Sequence, residues 1–145
     1  MNKIIETSRL IIREFEEDDL SNLYKIESDR RIIEFIPWNK LSSLGECRRQ
    51  LRRYIENYRK NKLNSWAITL KDTKEVIGIT QLVYSKKIKG VEIGTKILPE
   101  YWSKGYASEL TKAVIHYGLH ELKIDEIIAV TDINNAGAIK SLENC

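Results

Sequence analysis

Residues 90–110 read GVEIGTKILPEYWSKGYASEL, and the repeat of apolar positions changes partway through them. Residues 90–98 (GVEIGTKIL) form a strand that Pro99 ends. From Ala107 to Leu122 the apolar or small positions Ala107, Leu110, Val114, Ile115, Gly118 and Leu122 follow the period of a helix packed on a sheet. The turn between them carries Gly105 and opens directly into that helix. Such a turn leaves several backbone N–H groups without intrahelical partners, and they point outward with the positive end of the helix dipole. Gly105 permits positive φ, Ala107 keeps the first turn narrow and Lys104 adds a cation, so a diphosphate fits here. An ordinary loop closed by a glycine has the same appearance and stays open as the alternative.

Upstream, residues 65–71 (SWAITLK) alternate as a strand, a polar turn follows, and residues 75–84 (EVIGITQLVY) form the next strand. With the turn before Gly90 this predicts a three-stranded antiparallel meander. Ser43 and Glu46 have capping-box spacing, and Leu44, Cys47, Leu51, Tyr54, Ile55 and Tyr58 recur at helical intervals. The opposite face carries Arg48, Arg49, Arg52, Arg53, Arg59 and Lys60, which reads as a solvated surface or, less favourably, a phosphate-backbone grip. A shorter helix through Ile32, Ile33 and Ile36 should stop at Pro37. Residues 8–15 (SRLIIREF) predict the first strand, with Leu10 and Ile12 on one face and Ile11, Arg13 and Phe15 on the other. The acidic run Glu16 to Asp19 suits a helix N-terminus. Downstream, residues 125–132 (DEIIAVTD) predict a strand and Ala136 begins a last helix.

The chain has 145 residues, 42% hydrophobic and 31% charged, which suits a single domain spanning residues 1–145. No apolar run is long enough to cross a bilayer, and a cytoplasmic protein is expected. Cys47 and Cys145 are too few for a disulfide framework or a four-cysteine zinc site. His116 and His120 stand four apart but on the polar side of their helix, so a solvated pair is expected and no metal site. A net charge of +3 disfavours nucleic acid as the partner. Trp38, Trp66 and Trp102 suit core or rim positions, with an acceptor cleft as the other reading.

Three stretches together resemble the GNAT superfamily of acetyl-coenzyme A N-acetyltransferases, in the branch of the RimJ/RimL ribosomal-protein acetyltransferases. They are Thr7-Ser8-Arg9-Leu10-Ile11-Ile12-Arg13, Tyr101-Trp102-Ser103-Lys104-Gly105-Tyr106-Ala107 and Asn135-Ala136-Gly137-Ala138. The resemblance implies an α/β fold, a mixed and mostly antiparallel sheet flanked by helices. It also implies that two C-terminal strands of the family are missing after Cys145. Acetyl-coenzyme A is the implied co-substrate, with no metal. Ser103, Lys104, Gly105, Tyr106, Ala107 and Ser108 would hold its pyrophosphate. Ile97 and Leu98 would present backbone groups to the pantetheine, one N–H polarising the thioester carbonyl. Asn135 would hydrogen-bond the pantetheine, although a plain helix cap explains it equally well.

The implied reaction acetylates a primary amine, either a protein N-terminal α-amine or a small molecule, by direct attack in a ternary complex. The attacking amine must be neutral, so Glu92 is the candidate base, directly or through a water. An outward surface carboxylate is its alternative. The Ser and Tyr that protonate the departing thiolate in many relatives are replaced here by Ala138 and Leu142, with Ser141 and Tyr106 nearby in sequence. A coenzyme-binding module without turnover therefore stays open as a second reading. A homodimer also stays open, and no membrane partner is expected.

Overall fold

The computed structural model describes residues 2–34 and 43–129. Strands β1 (Lys3–Glu6) and β2 (Leu10–Arg13) lead through a 3-10 turn at Glu17–Asp19 into helix α1 (Leu20–Glu27). Helices α2 (Arg30–Ile33) and α3 (Leu44–Asn57) come next, followed by β3 (Ser65–Leu70), β4 (Val76–Ser85) and β5 (Gly90–Ile97). A 3-10 turn at Pro99–Tyr101 then precedes α4 (Tyr106–His116) and β6 (Ile127–Ala129). The six strands lie in one sheet in sequence order, antiparallel from β1 to β5 and parallel between β5 and β6.

Each face of the sheet buries its own apolar layer. Leu10, Ile12, Ile68, Ile93 and Ile97 pack under Leu110 and Val114 of α4. Phe15, Ala67, Ile79 and Leu98 pack with Leu23 and Ile26 of α1 and with Cys47 and Leu51 of α3. The layers meet at a bulge in β4, where Ile68 pairs with Gly78 and Thr69 with Val76, leaving Ile77 as the extra residue. Ile77 accordingly joins the α4 layer while Val76 and Ile79 join the other. Beside the bulge, Gly78 pairs with Ile97 of β5 and leaves no room for a side chain. A Cβ on Gly78 would stand 2.3 Å from the Lys96 carbonyl oxygen and 3.1 Å from the Ile97 Cα.

The meander, the parallel last strand and the helix after Gly105 stand where the sequence puts them. The capping box of α3 is present, with the Ser43 hydroxyl accepting from the Glu46 N–H at 3.2 Å and the Glu46 carboxylate from the Ser43 N–H at 3.1 Å. Three expectations need correction. A strand at β1 precedes the expected first strand. It lies at the sheet edge with a half-exposed pattern, so hydrophobic alternation gives no sign of it. The expected strand over residues 8–15 shortens to Leu10–Arg13, because Thr7, Ser8 and Arg9 turn outward toward α4. The helix expected to Leu122 leaves α-geometry at Tyr117–Glu121, a π turn in which the Leu122 N–H reaches the Tyr117 carbonyl at 3.1 Å. Gly118 lies against β6 there, and a Cβ on it would fall 2.5 Å from Ile127 Cδ1.

Trp66 is buried as expected, whereas Trp102 is 38% exposed and belongs to the rim. His116 and His120 are both exposed, their rings 4.4 Å apart, and the described residues contain no cluster that would hold a metal. No helix among them is long and apolar enough to cross a membrane. Ile36, Pro37, Trp38, Asn135, Ala138, Ser141, Leu142, Cys145 and the final helix lie outside the described residues. The same holds for the far end of the residue 125–132 strand.

Candidate active site

The end of β5 governs which backbone groups are available. The Leu98 N–H donates to the Ile77 carbonyl of the neighbouring strand at 2.9 Å. Backbone groups alternate in direction along a strand, so the N–H and carbonyl of Ile97 point away from β4, toward the β6 side. There the Ile97 carbonyl accepts the indole N–H of Trp102 at 2.7 Å. Of the two residues singled out in sequence, Leu98 has its N–H engaged and Ile97 faces the other way.

Beyond Pro99 the chain tightens through two hydrogen bonds, from the Tyr101 N–H to the Leu98 carbonyl at 2.9 Å and from the Trp102 N–H to the Pro99 carbonyl at 3.1 Å. Ser103 then takes φ 61° and Gly105 φ 84°. Both lie in the left-handed region, which glycine adopts freely and serine only at a cost. The stretch from Trp102 to Gly105 is exposed, and Gly105 caps α4 without any side-chain hydrogen bond. The first bond back into the helix runs from the Glu109 N–H to the Gly105 carbonyl at 3.1 Å. Tyr106, Ala107 and Ser108 consequently have N–H groups without an intrahelical acceptor, at the positive end of the helix dipole. Lys104 lies beside them with its ammonium 5.9 Å from the Tyr101 ring centre. N–H groups on an exposed turn, at the positive end of the helix dipole and beside Lys104, suit a diphosphate.

Three polar contacts that no local sequence pattern announces hold this loop. Arg9 donates from Nε to Glu109 Oε1 at 2.7 Å and from Nη1 to the Lys104 carbonyl at 2.9 Å, with its guanidinium 4.3 Å from the Tyr106 ring centre. Tyr101 donates its hydroxyl to Glu75 at 2.5 Å, and that carboxylate pushes the phenol up to about 12, so it stays protonated at neutral pH. Arg31 bridges Asp29 at 2.8 Å and Glu100 at 2.7 Å, tying α2 to the loop and holding the Asp29 carboxyl below its ordinary range. The only sequence trace of the first contact is the Thr7 to Arg13 stretch, which identifies no partner for Arg9.

Glu92 is half-buried on β5, opposite Val83 of β4 and Ile128 of β6. By strand alternation it shares a face with Gly94 and Lys96, and Lys96 reaches the buried Glu27 of α1 at 2.9 and 3.0 Å. The Glu92 carboxylate has no hydrogen bond or ion pair among the described residues. Ile97 lies five positions further along the strand, about 16 Å along the backbone.

Among the described residues the sheet has six strands with its last pair parallel, and a turn with N–H groups that lack intrahelical acceptors links β5 to α4. Residues 9–145 match the acetyltransferase (GNAT) domain, and the chain belongs to that family. It is 29% identical over 143 residues to the uncharacterized N-acetyltransferase YoaA of Bacillus subtilis (strain 168), covering 98% of this chain and 81% of that protein. Among solved structures it resembles a GNAT-family acetyltransferase from Bacillus anthracis, with a TM-score of 0.82 and 26% identity over 97% of this chain and 80% of that one. It also shares the fold of RimL, a ribosomal L7/L12 α-N-protein acetyltransferase in complex with coenzyme A. That TM-score is 0.81 at 15% identity, over 99% of this chain and 82% of RimL. The chain is therefore an acetyltransferase with the GNAT fold.

Proposed function

We propose that the protein transfers an acetyl group from acetyl-coenzyme A to a primary amine, a protein N-terminal α-amine or a small-molecule amine, by direct attack in a ternary complex. The observation that carries this reading is the cradle at the start of α4, where Tyr106, Ala107 and Ser108 have unspent N–H groups beside two left-handed residues. In this reading Ser103, Lys104 and Gly105 complete the pyrophosphate contact, and Asn135 meets the pantetheine.

The donor supplies an activated thioester carbonyl. The residues of the chain orient it and stabilise the charge that develops on its oxygen. Ile97 takes the oxyanion role, since the Leu98 N–H is bonded to Ile77. The acceptor nitrogen forms the new amide bond, the carbon–sulfur bond breaks, the thiolate leaves on coenzyme A and the amine releases a proton. An α-amine with pKa about 7.7 to 8.0 is roughly a tenth neutral at pH 7, whereas a lysine near 10.4 is almost wholly charged. Glu92 receives that proton through a relay of several waters, because about 16 Å of strand lies between it and Ile97.

Thiol release from acetyl-coenzyme A tests the reading against a panel of peptides with free N-termini, polyamines and amino sugars. Intact-mass measurement then identifies the acetylated product. Thiol release that depends on one amine class supports it. Tight coenzyme A binding with no release for any amine would replace it with a binding module that does not turn over.

A further inference from the structure

The strongest long-range contact at the loop is made by residues that the proposed chemistry does not use. Glu109 occupies the first turn of α4, close to where an anion would rest on the N–H cradle. An uncompensated carboxylate there would repel a diphosphate. Its Oε2 instead accepts from the Thr7 hydroxyl, from the Arg9 N–H at 3.0 Å and from the Ser8 hydroxyl at 3.4 Å, while Oε1 accepts from Arg9 Nε at 2.7 Å. Burial pushes the Glu109 carboxyl up, but the hydrogen bonds from Thr7 and Arg9 together outweigh it and hold the group below its ordinary value. At neutral pH it is an anion already spoken for.

Arg9 has the matching arrangement. Its carbonyl accepts from the Lys71 N–H at 2.8 Å, which anchors its backbone to the β3–β4 turn. From that fixed base the guanidinium reaches Glu109 and the Lys104 carbonyl and covers one face of Tyr106. Its Nη2 would lie 3.3 Å from a Cβ built on Gly105, so it packs directly against the left-handed residue that opens the helix. One side chain thus contacts Lys104, Gly105, Tyr106 and Glu109 in succession. A loop with φ above zero at both Ser103 and Gly105 needs such outside support, because non-glycine residues leave the left-handed region readily when released.

We propose that Arg9 and Glu109 form a positioning pair that braces the pyrophosphate loop from the N-terminal turn. Arg9 holds the loop in its anion-binding shape and cancels the carboxylate charge beneath it. Neither side chain need touch the coenzyme. This proposal rests on the coenzyme reading of the loop.

The test is a calorimetric titration of the full chain and of Arg9→Gln, Arg9→Lys and Glu109→Gln with coenzyme A, and separately with pantetheine, which lacks the diphosphate. Circular dichroism and the thermal midpoint report the fold of each variant. Arg9→Gln should weaken coenzyme A binding by about tenfold or more, the size of a lost charge-assisted contact, and leave pantetheine binding within about twofold. Arg9→Lys keeps the charge but lacks the fork that reaches Glu109 and Lys104 together, so it should not restore full affinity. Glu109→Gln gives the deciding sign. Loss of the brace weakens coenzyme A binding, whereas tighter binding would show Arg9 to be a plain phosphate ligand freed from its carboxylate, and would overturn the proposal. Unchanged coenzyme A affinity in folded variants, or equal losses for coenzyme A and pantetheine, would overturn it too. If the unsubstituted chain itself binds no coenzyme A, the reading of the loop falls and the brace falls with it.

Discussion

Gly78→Ala puts one methyl group where β4 and β5 leave no room, and the outcome can be worked from distances. The new Cβ would lie 2.3 Å from the Lys96 carbonyl oxygen, and carbon–oxygen contacts do not settle below about 3.3 Å. The obstruction is backbone, so the strands must part by roughly 1 Å rather than a side chain swinging aside. The Leu98 N–H to Ile77 carbonyl bond, 2.9 Å long, would stretch beyond hydrogen-bonding range. A lost backbone hydrogen bond costs about 1 kcal/mol, and overpacking a sheet interior adds about 1–3 kcal/mol. The total of about 2–4 kcal/mol lowers the thermal midpoint by roughly 5–15 °C in a domain of this size. The displaced segment is the end of β5 that leads into the loop, so coenzyme A affinity should fall about tenfold alongside stability. Thermal unfolding followed by circular dichroism measures the first effect and calorimetry the second. A midpoint within about 2 °C of the parent, with unchanged affinity, would refute the reasoning that β4 and β5 leave no room for a side chain at Gly78.

Gly105→Glu should abolish coenzyme A binding with circular dichroism unchanged, since it brings a negative side chain to a cradle of N–H groups and forces a non-glycine residue to φ 84°; retained affinity would show that the loop is no anion site. Glu92→Gln should keep coenzyme A affinity yet lower turnover by ~10² for an amine that must lose a proton, a deficit that shrinks as pH rises, and rates equal to the parent from acid to alkaline pH would make Glu92 a surface residue. Asp19→Ala removes the carboxylate that accepts from Arg13 Nη1 at 2.8 Å, Arg13 Nη2 at 3.0 Å and the Glu16 N–H at 2.7 Å, leaving Arg13 buried with an unmatched charge. Urea unfolding should report a loss of about 3–5 kcal/mol, most of it recovered when Arg13→Met is added. The Glu109 carboxyl is depressed on folding, so its stabilisation is present above the unfolded-state value of about 4.3 and disappears as pH falls through the lower folded value. The stability difference between the parent and Glu109→Gln should therefore be level above about pH 5 and shrink in stronger acid; a difference that already shrinks between pH 7 and 5 would contradict the depressed value.

Local signals made much of this protein legible. The Ser43 and Glu46 capping box, the helical spacing of Cys47 and Leu51 and the glycine before Tyr106 each depend on residues within a turn or two of one another. Helix and strand periods register such neighbours directly. β1 escaped because its adjacent residues Ile4 and Ile5 are both half-buried, so the short edge strand shows no alternation between an apolar and a polar face. The end of α4 escaped because Gly118 yields to Ile127 of β6, a partner from a different element. At the candidate site the sequence marks the turn whose N–H groups lack intrahelical acceptors, since Gly105 and the helix behind it suffice for that. Tertiary structure alone decided how that loop is held and which backbone group beside it is available. Arg9 meets Glu109 across a separation of 100 residues, and the choice between Ile97 and Leu98 depends on which of them faces β4. Hydrogen bonds of that kind follow from strand register and bulge position, and these are set when the whole sheet packs against its helices rather than by any short run of residues.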